Sequence, residues 1–105
     1  MTEKLVRDKI PGIVKKNSHR GPKWRVADRE EYRDLLIRKL AEEVKEYLIS
    51  RSVEELADIL EVVYHLAEEM GLSRAELENK RNLKAQKRGG FSKKIVMDFG
   101  VGSAP

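Results

Sequence analysis

Cysteine is absent from the 105 residues. That removes disulfide scaffolds, thiolate zinc sites and thiol catalysis from consideration. No apolar run approaches the ~20 residues that span a bilayer, and the opening Met1-Thr2-Glu3-Lys4 lacks a signal-peptide core. The expectation is a cytoplasmic protein. Asn and Gln are scarce beside abundant Lys, Arg and Glu, a balance met in heat-adapted proteins. Apolar residues make up only 40%, enough for a thin core and a single domain over 1–105. A chain this short leaves much of its surface open, and sharing its core with a second copy would cover it.

Charge, by contrast, is plentiful at 38% of residues, against ~25% in ordinary globular chains. It is also unevenly placed. Residues 1–34 are net +4, residues 35–70 net −5 and residues 71–105 net +5. An acidic centre between basic flanks suits a ligand that is both metal-bound and phosphate-rich, although a helical surface with charges of both signs gives similar sums. A nucleic-acid binder would gather its basic residues without an acidic block between them. Neither a nucleic acid nor a membrane is therefore an expected partner.

Three helix-start signals follow in order. They are Asp28-Arg29-Glu30-Glu31, Ser52-Val53-Glu54-Glu55 and Ser73-Arg74-Ala75-Glu76, each of the capping-box form. Gly71 stands where a helix C-cap belongs, and Gly89-Gly90 closes the last helix. The prediction is an all-α antiparallel bundle with helices near 29–50, 53–70 and 74–88. A short N-terminal helix starts around Asp8-Lys9-Ile10-Pro11 and runs to Lys16. Asn17 to Pro22 has loop chemistry, and Trp24 is expected to pack ahead of the first long helix. Lys94 to Phe99 predicts a short strand, and Gly100 to Pro105 a frayed tail. Helix 53–70 carries 11 apolar residues in 18, more than one face needs. Its burial on several sides calls for oligomerisation to complete the core.

At 100° per residue, Glu43 lies ~20° from Leu36, at the edge of the apolar arc of helix 29–50. Glu46 is one turn on, and Glu42 a little further round. In the next helix Glu55 falls between Val62 and Leu66, inside the apolar arc, with Asp58 just beyond Val62. Two neighbouring helices thus each turn acids toward their shared core. Facing carboxylates take up protons unless a cation compensates them. All-oxygen ligands select hard cations, Mg²⁺ or Mn²⁺ and also Ca²⁺, and the absence of Glu-x-x-His argues against iron. Other roles stay open for the same residues. Glu55 is also the third residue after Ser52 and completes a capping box. Arg38 and Lys39 precede Glu42 and Glu43 by four and are placed to pair with them. His65 is expected on a helix surface or an interface, and the basic residues Lys80 to Arg88 suit the end of a helix dipole.

Glu42-Glu43-x-x-Glu46 followed by Glu55-x-x-Asp58 on adjacent helices resembles the signature of the all-α, MazG-like nucleoside triphosphate pyrophosphatases. Lys4-Leu5-Val6-Arg7-Asp8-Lys9-Ile10-Pro11 is similar to the "LVRDKIP" motif of their small, phosphoribosyl-ATP pyrophosphohydrolase-like members. Lys87-Arg88-Gly89-Gly90-Phe91 is similar to their "RGGF" segment. The resemblance runs from about residue 4 to 97. One departure is the short stretch between Glu46 and Glu55, which leaves little room for a selective loop over a base.

The resemblance implies a helical homodimer or homotetramer and Mg²⁺-dependent cleavage between the α- and β-phosphates. Matched by position, Glu43, Glu46, Glu55 and Asp58 would hold the metal, and Glu42 would help orient the attacking water. Arg7, Lys9, Lys84 and Arg88 would meet the phosphates, with Gly89-Gly90 letting backbone come close. The expected reaction is nucleoside triphosphate and water to monophosphate and pyrophosphate, as house-cleaning of non-standard nucleotides. Phosphoribosyl-ATP hydrolysis and a non-catalytic, nucleotide-binding helical dimer are the alternatives.

Overall fold

The computed structural model describes residues 3–16, 21 and 23–100. Among the described residues four helices follow one another: α1 (Ile10–Lys16), α2 (Arg29–Ser50), α3 (Val53–Glu69) and α4 (Arg74–Arg88). The chain is all-α, and the long helices begin and end within a residue of the positions their caps predict. The strand expected over Lys94–Phe99 is not formed, and no strand occurs among the described residues. A strand needs a ladder partner, and the described residues offer none. The loop expected over Asn17–Pro22 lies outside the described residues except for Gly21, as does the frayed tail except for Gly100.

The three capping signals are realised differently. Only Ser73 closes a full capping box: its hydroxyl accepts from the Glu76 N–H at 3.1 Å, and the Glu76 carboxylate accepts from the Ser73 N–H at 3.1 Å. Asp28 accepts from the Glu31 N–H at 2.9 Å, but the Glu31 carboxylate turns to Arg25 instead, at 2.6 and 2.7 Å. Ser52 accepts from the Glu55 N–H at 3.3 Å, while its own N–H goes to Ser50 Oγ at 3.4 Å. The Glu55 carboxylate is thereby free of the cap. Helix α3 ends in a Schellman motif: Gly71 at φ 82°, with Leu72 N–H on the Ala67 carbonyl at 2.9 Å and Gly71 N–H on that of Glu68 at 2.9 Å.

Between α2 and α3 lie only Arg51 and Ser52, so the two helices run antiparallel and pack along their length. Arg51 makes the turn in the left-handed region, φ 51°, with its N–H on the Tyr47 carbonyl at 2.7 Å. A side chain there costs about 1–2 kcal/mol that glycine avoids. Arg51→Gly is expected to stabilise the hairpin by about 0.5–1 kcal/mol after the greater freedom of the unfolded glycine is set against it. Thermal melting followed by circular dichroism checks this, and a lower midpoint would contradict it.

Among the described residues, only Leu36, Val62 and Ala67 are buried apolar side chains. They lie where α2 and α3 meet. Helix α4 packs on α3 and does not reach α2. Much apolar surface of α3 stays open within one chain, including Val53, Leu56, Leu60 and Met70. Trp24, expected to pack, is 67% exposed at the rim of a depression between α1 and α2. The accessible surface is 9785 Å², against about 6,000 Å² for a compact monomer of this mass. The radius of gyration is 18.2 Å, against about 13 Å.

Residues 3–9 lie across the α2–α3 hairpin, ahead of α1. Lys4 Nζ meets Glu42 Oε1 at 3.2 Å, and Arg7 Nη2 meets Asp58 Oδ1 at 2.5 Å. Arg25 ties Glu3, at 3.3 Å, to Glu31. These pairs are solvent-exposed and add little stability each. Their effect is to place the N-terminal segment beside the acids of the hairpin.

Candidate metal centre

The hairpin brings together every acid singled out by spacing. On α2, Glu43 sits a near-whole number of turns after Leu36 and shares its inward face. Leu36 is 3% exposed and Glu43 5%. Glu42 is half-buried and Glu46 exposed. On α3, Glu55 and Asp58 are both half-buried. Carboxylate oxygens of Glu42, Glu43 and Glu46 lie within 4.8 Å of one another, as do those of Glu43, Glu55 and Asp58. The two triads share Glu43.

The charge in this cluster is only partly met by side chains. Glu42 has Lys4, Asp58 has Arg7, and Glu43 Oε1 has Lys39 Nζ at 3.4 Å. Glu43 Oε2 and Glu55 Oε2 are both buried without any hydrogen-bond donor. Only a proton held between them lets the two carboxyls bond to each other. That shared proton with Glu43 is the largest cause pushing the Glu55 pKa up to about 7. Burial and the negative charges of Glu46, Glu43 and Asp58 act in the same direction. Two orphaned, buried oxygens in an all-carboxylate cluster fit a hard divalent cation, whose charge would do what the proton does.

The basic residues are distributed less as expected. Arg7 reaches the cluster through Asp58. Lys9 lies exposed in the turn before α1, and Lys84 and Arg88 lie exposed on the last turns of α4. None of these three lines the cleft beside the cluster.

That cleft, about 480 Å³, lies between the N-terminal segment and the hairpin. Its size is within the range of small-molecule sites. Leu5, Ile10, Leu36 and Val62 give it an apolar floor, and Glu43 and Asp58 belong both to it and to the acidic cluster. Sequence reasoning missed Tyr32, Glu61 and His65, which also line it. His65 is half-buried, with Nε2 2.9 Å from Glu61 and Nδ1 3.4 Å from Glu68. The i, i+4 spacing of Glu61 and His65 was the available signal. Lys4 is brought in across 38 residues and Arg7 across 51, contacts that no local period encodes.

The fold and cluster together define a helical hairpin bearing an all-oxygen, carboxylate-rich candidate cation site beside a small-molecule cleft. No protein-family model matches the chain, and no curated protein and no solved structure is significantly similar to it.

Proposed function

We propose that this chain is a Mg²⁺-dependent nucleoside triphosphate pyrophosphohydrolase. The observation that carries the reading is the buried Glu43 carboxylate: one of its oxygens and one of Glu55 are buried without a partner, and carboxylate oxygens of Glu43, Glu55 and Asp58 lie within 4.8 Å of one another. Such a pair needs a proton or a cation, and a triphosphate arrives with Mg²⁺. The order of the LVRDKIP-like, Glu-Glu-x-x-Glu, Glu-x-x-Asp and RGGF-like segments supports the same family reading.

Glu43, Glu46, Glu55 and Asp58 would hold Mg²⁺, with Mn²⁺ able to replace it. A cation held there supplies a bound water of lowered pKa and neutralises phosphate charge. Glu42, at the edge of the cluster, orients the attacking water. The water oxygen bonds to the α-phosphorus, the bond from that phosphorus to the α–β bridging oxygen breaks, and pyrophosphate leaves with its electron pair. Arg7 leaves Asp58 to meet phosphate oxygens, and Lys39 at the cleft wall can do the same. Lys9, Lys84 and Arg88 complete the cationic set. The apolar floor takes the nucleoside. The acting form is a homodimer or homotetramer, supported by the large open surface, and the cytoplasm is the setting that suits nucleotide house-cleaning.

The test is an assay of pyrophosphate and monophosphate over a panel of standard, deaminated and oxidised nucleoside triphosphates plus phosphoribosyl-ATP, with and without Mg²⁺. The expected result is equimolar monophosphate and pyrophosphate from at least one substrate, and none without metal. Release of inorganic phosphate instead, or binding without turnover across the panel, contradicts the proposal.

A further inference from the structure

The cleft beside the acidic cluster is a slot with unlike ends. Its α3 wall carries Asp58, Glu61 and His65 in that order, and its α2 wall carries Glu43, Lys39 and Tyr32. Glu43 and Asp58 mark the end shared with the cluster. Glu61 is one turn beyond Asp58, about 4.5 Å along the axis, and His65 is two turns beyond, about 10 Å. Across the slot, Tyr32 is three turns from Glu43, about 16 Å. Leu36 and Val62, both buried, floor the stretch between. Hydrolysis at the acidic end gives no task to Glu61 or His65.

Glu61 is held in place from two helices. Its Oε2 lies 2.9 Å from His65 Nε2, and the other ring nitrogen of His65 lies 3.4 Å from Glu68. Its Oε1 lies 3.9 Å from Arg74 Nη2, an ion-pair distance too long for a hydrogen bond. Arg74, the first residue of α4, is itself seated on the Tyr64 ring, 4.5 Å from the centroid. A carboxylate only accepts hydrogen bonds, and each of its oxygens offers two lone pairs. Glu61 therefore keeps accepting capacity on both oxygens, in a braced orientation, at a half-buried position on the cleft wall.

The ligand group that fits must present two neighbouring donors close to a phosphate. In a nucleotide the sugar follows the α-phosphate directly, and the base follows the sugar. The 2′- and 3′-hydroxyls of ribose are such a pair of donors, and an acidic side chain takes the ribose hydroxyl at dinucleotide sites. Base edges differ from one nucleotide to the next in their donors and acceptors, whereas the ribose does not. With the α-phosphate at the acidic end, the first turn outward falls to the sugar and the second to the base. Glu61 then stands at the sugar, and Tyr32 and His65 at the base.

We propose that Glu61 reads the sugar of the substrate, accepting hydrogen bonds from the 2′- and 3′-hydroxyls, and so makes this chain selective for ribonucleotides over their deoxy counterparts. His65 and Arg74 brace the carboxylate for that contact. The placement rests on the pyrophosphatase reading, which puts the phosphates at the acidic end. A deoxynucleotide leaves the carboxylate short of one donor, and a dideoxynucleotide short of both.

Calorimetry tests this without turnover. AMP, GMP, CMP and UMP are each compared with their 2′-deoxy and 2′,3′-dideoxy counterparts in 5 mM Mg²⁺. For the best-bound base, the wild-type Kd is expected to rise roughly 10-fold on loss of the 2′-hydroxyl and by a similar factor again on loss of the 3′-hydroxyl, the scale of single hydrogen bonds to a charged group. Glu61→Ala is expected to bring the ribo-to-dideoxy ratio close to one, with wild-type helix content by circular dichroism. Glu61→Gln keeps one acceptor oxygen and should lie between. A wild type that binds the three sugars alike, or binds none, overturns the inference. So does a Glu61→Ala protein that keeps the wild-type ratio, whatever happens to its overall affinity. Pyrophosphate release from the matching triphosphates is measured alongside. A ribose preference in Kd without turnover of any triphosphate defeats the pyrophosphatase reading and leaves the sugar contact standing. Turnover without a sugar preference defeats the sugar contact and leaves that reading standing.

Discussion

Glu55→Gln is expected to abolish metal-induced stabilisation and to cut pyrophosphate release by roughly 10²–10³-fold, the scale seen when one group that stabilises transition-state charge is lost. It should do so without harming the metal-free fold. The sequence offers two roles for Glu55, a cap and a ligand, and the structure separates them. The cap bond runs from the Glu55 backbone N–H to Ser52 Oγ, which any residue keeps, and the return bond is absent because the Ser52 N–H points to Ser50. The carboxylate instead faces Glu43, Glu46 and Asp58. Gln preserves its size, removes its charge and is a poorer ligand for a hard cation. At pH 8 the metal-free variant should melt no lower than the wild type, because one repelling charge has gone. Asp58→Asn should show the same loss of activity with no capping role to complicate it, although it also releases Arg7. Wild-type turnover by Glu55→Gln would sink its assignment as a ligand.

The second large effect is on melting. Millimolar Mg²⁺ or Mn²⁺ is expected to raise the midpoint, because a ligand bound only by the folded state stabilises by about 2.7 kcal/mol at a hundredfold excess over Kd. For a domain of this size that is on the order of 10–20 °C. The shift should depend on pH in a defined direction. The Glu55 pKa is about 7 in the folded, metal-free chain against an ordinary 4.5. The folded state therefore holds this proton more tightly than the unfolded state. The stability it contributes is fully present below about pH 4.5 and is lost as pH rises through about 7. Metal competes with the same proton, so stabilisation by Mg²⁺ should be small at pH 5 and large at pH 8. Glu55→Gln should flatten the metal-free profile. Melting curves across pH 5–8, with and without 5 mM Mg²⁺, decide the matter; an equal Mg²⁺ shift at both ends of the range would contradict a site built around Glu55.

What could be seen in the sequence was what local chemistry controls. Ser52, Ser73 and Gly71 marked helix limits because caps act within a single turn. The burial of Glu43 followed from its near-integral number of turns from Leu36, which places an acid on a core face whatever the rest of the fold. The N-terminal segment was a different matter. Its docking depends on Lys4 and Arg7 finding acids 38 and 51 residues away, and exposed ion pairs leave no periodic trace. Lys94–Phe99 misled because a run of β-branched and apolar residues looks alike whether or not a partner strand is there to receive it. Helix α3 signalled burial on several sides by its composition, and one chain supplies only part of it.

Arg7 holds an Asp58 oxygen that the proposed ion would take, and Lys4 holds Glu42 at the edge of the same cluster, so the head of the chain and the ion would be rivals. Rivalry of this kind is reciprocal by thermodynamic linkage. Whatever loosens residues 3–9 would then raise affinity for the ion, and the ion in turn would release residues 3–9 from the hairpin. The wall of the cleft formed by Leu5, Val6 and Ile10 would then not be a fixed wall. On the proposed metal reading, its hold on the hairpin would be set by how much free divalent ion surrounds the protein.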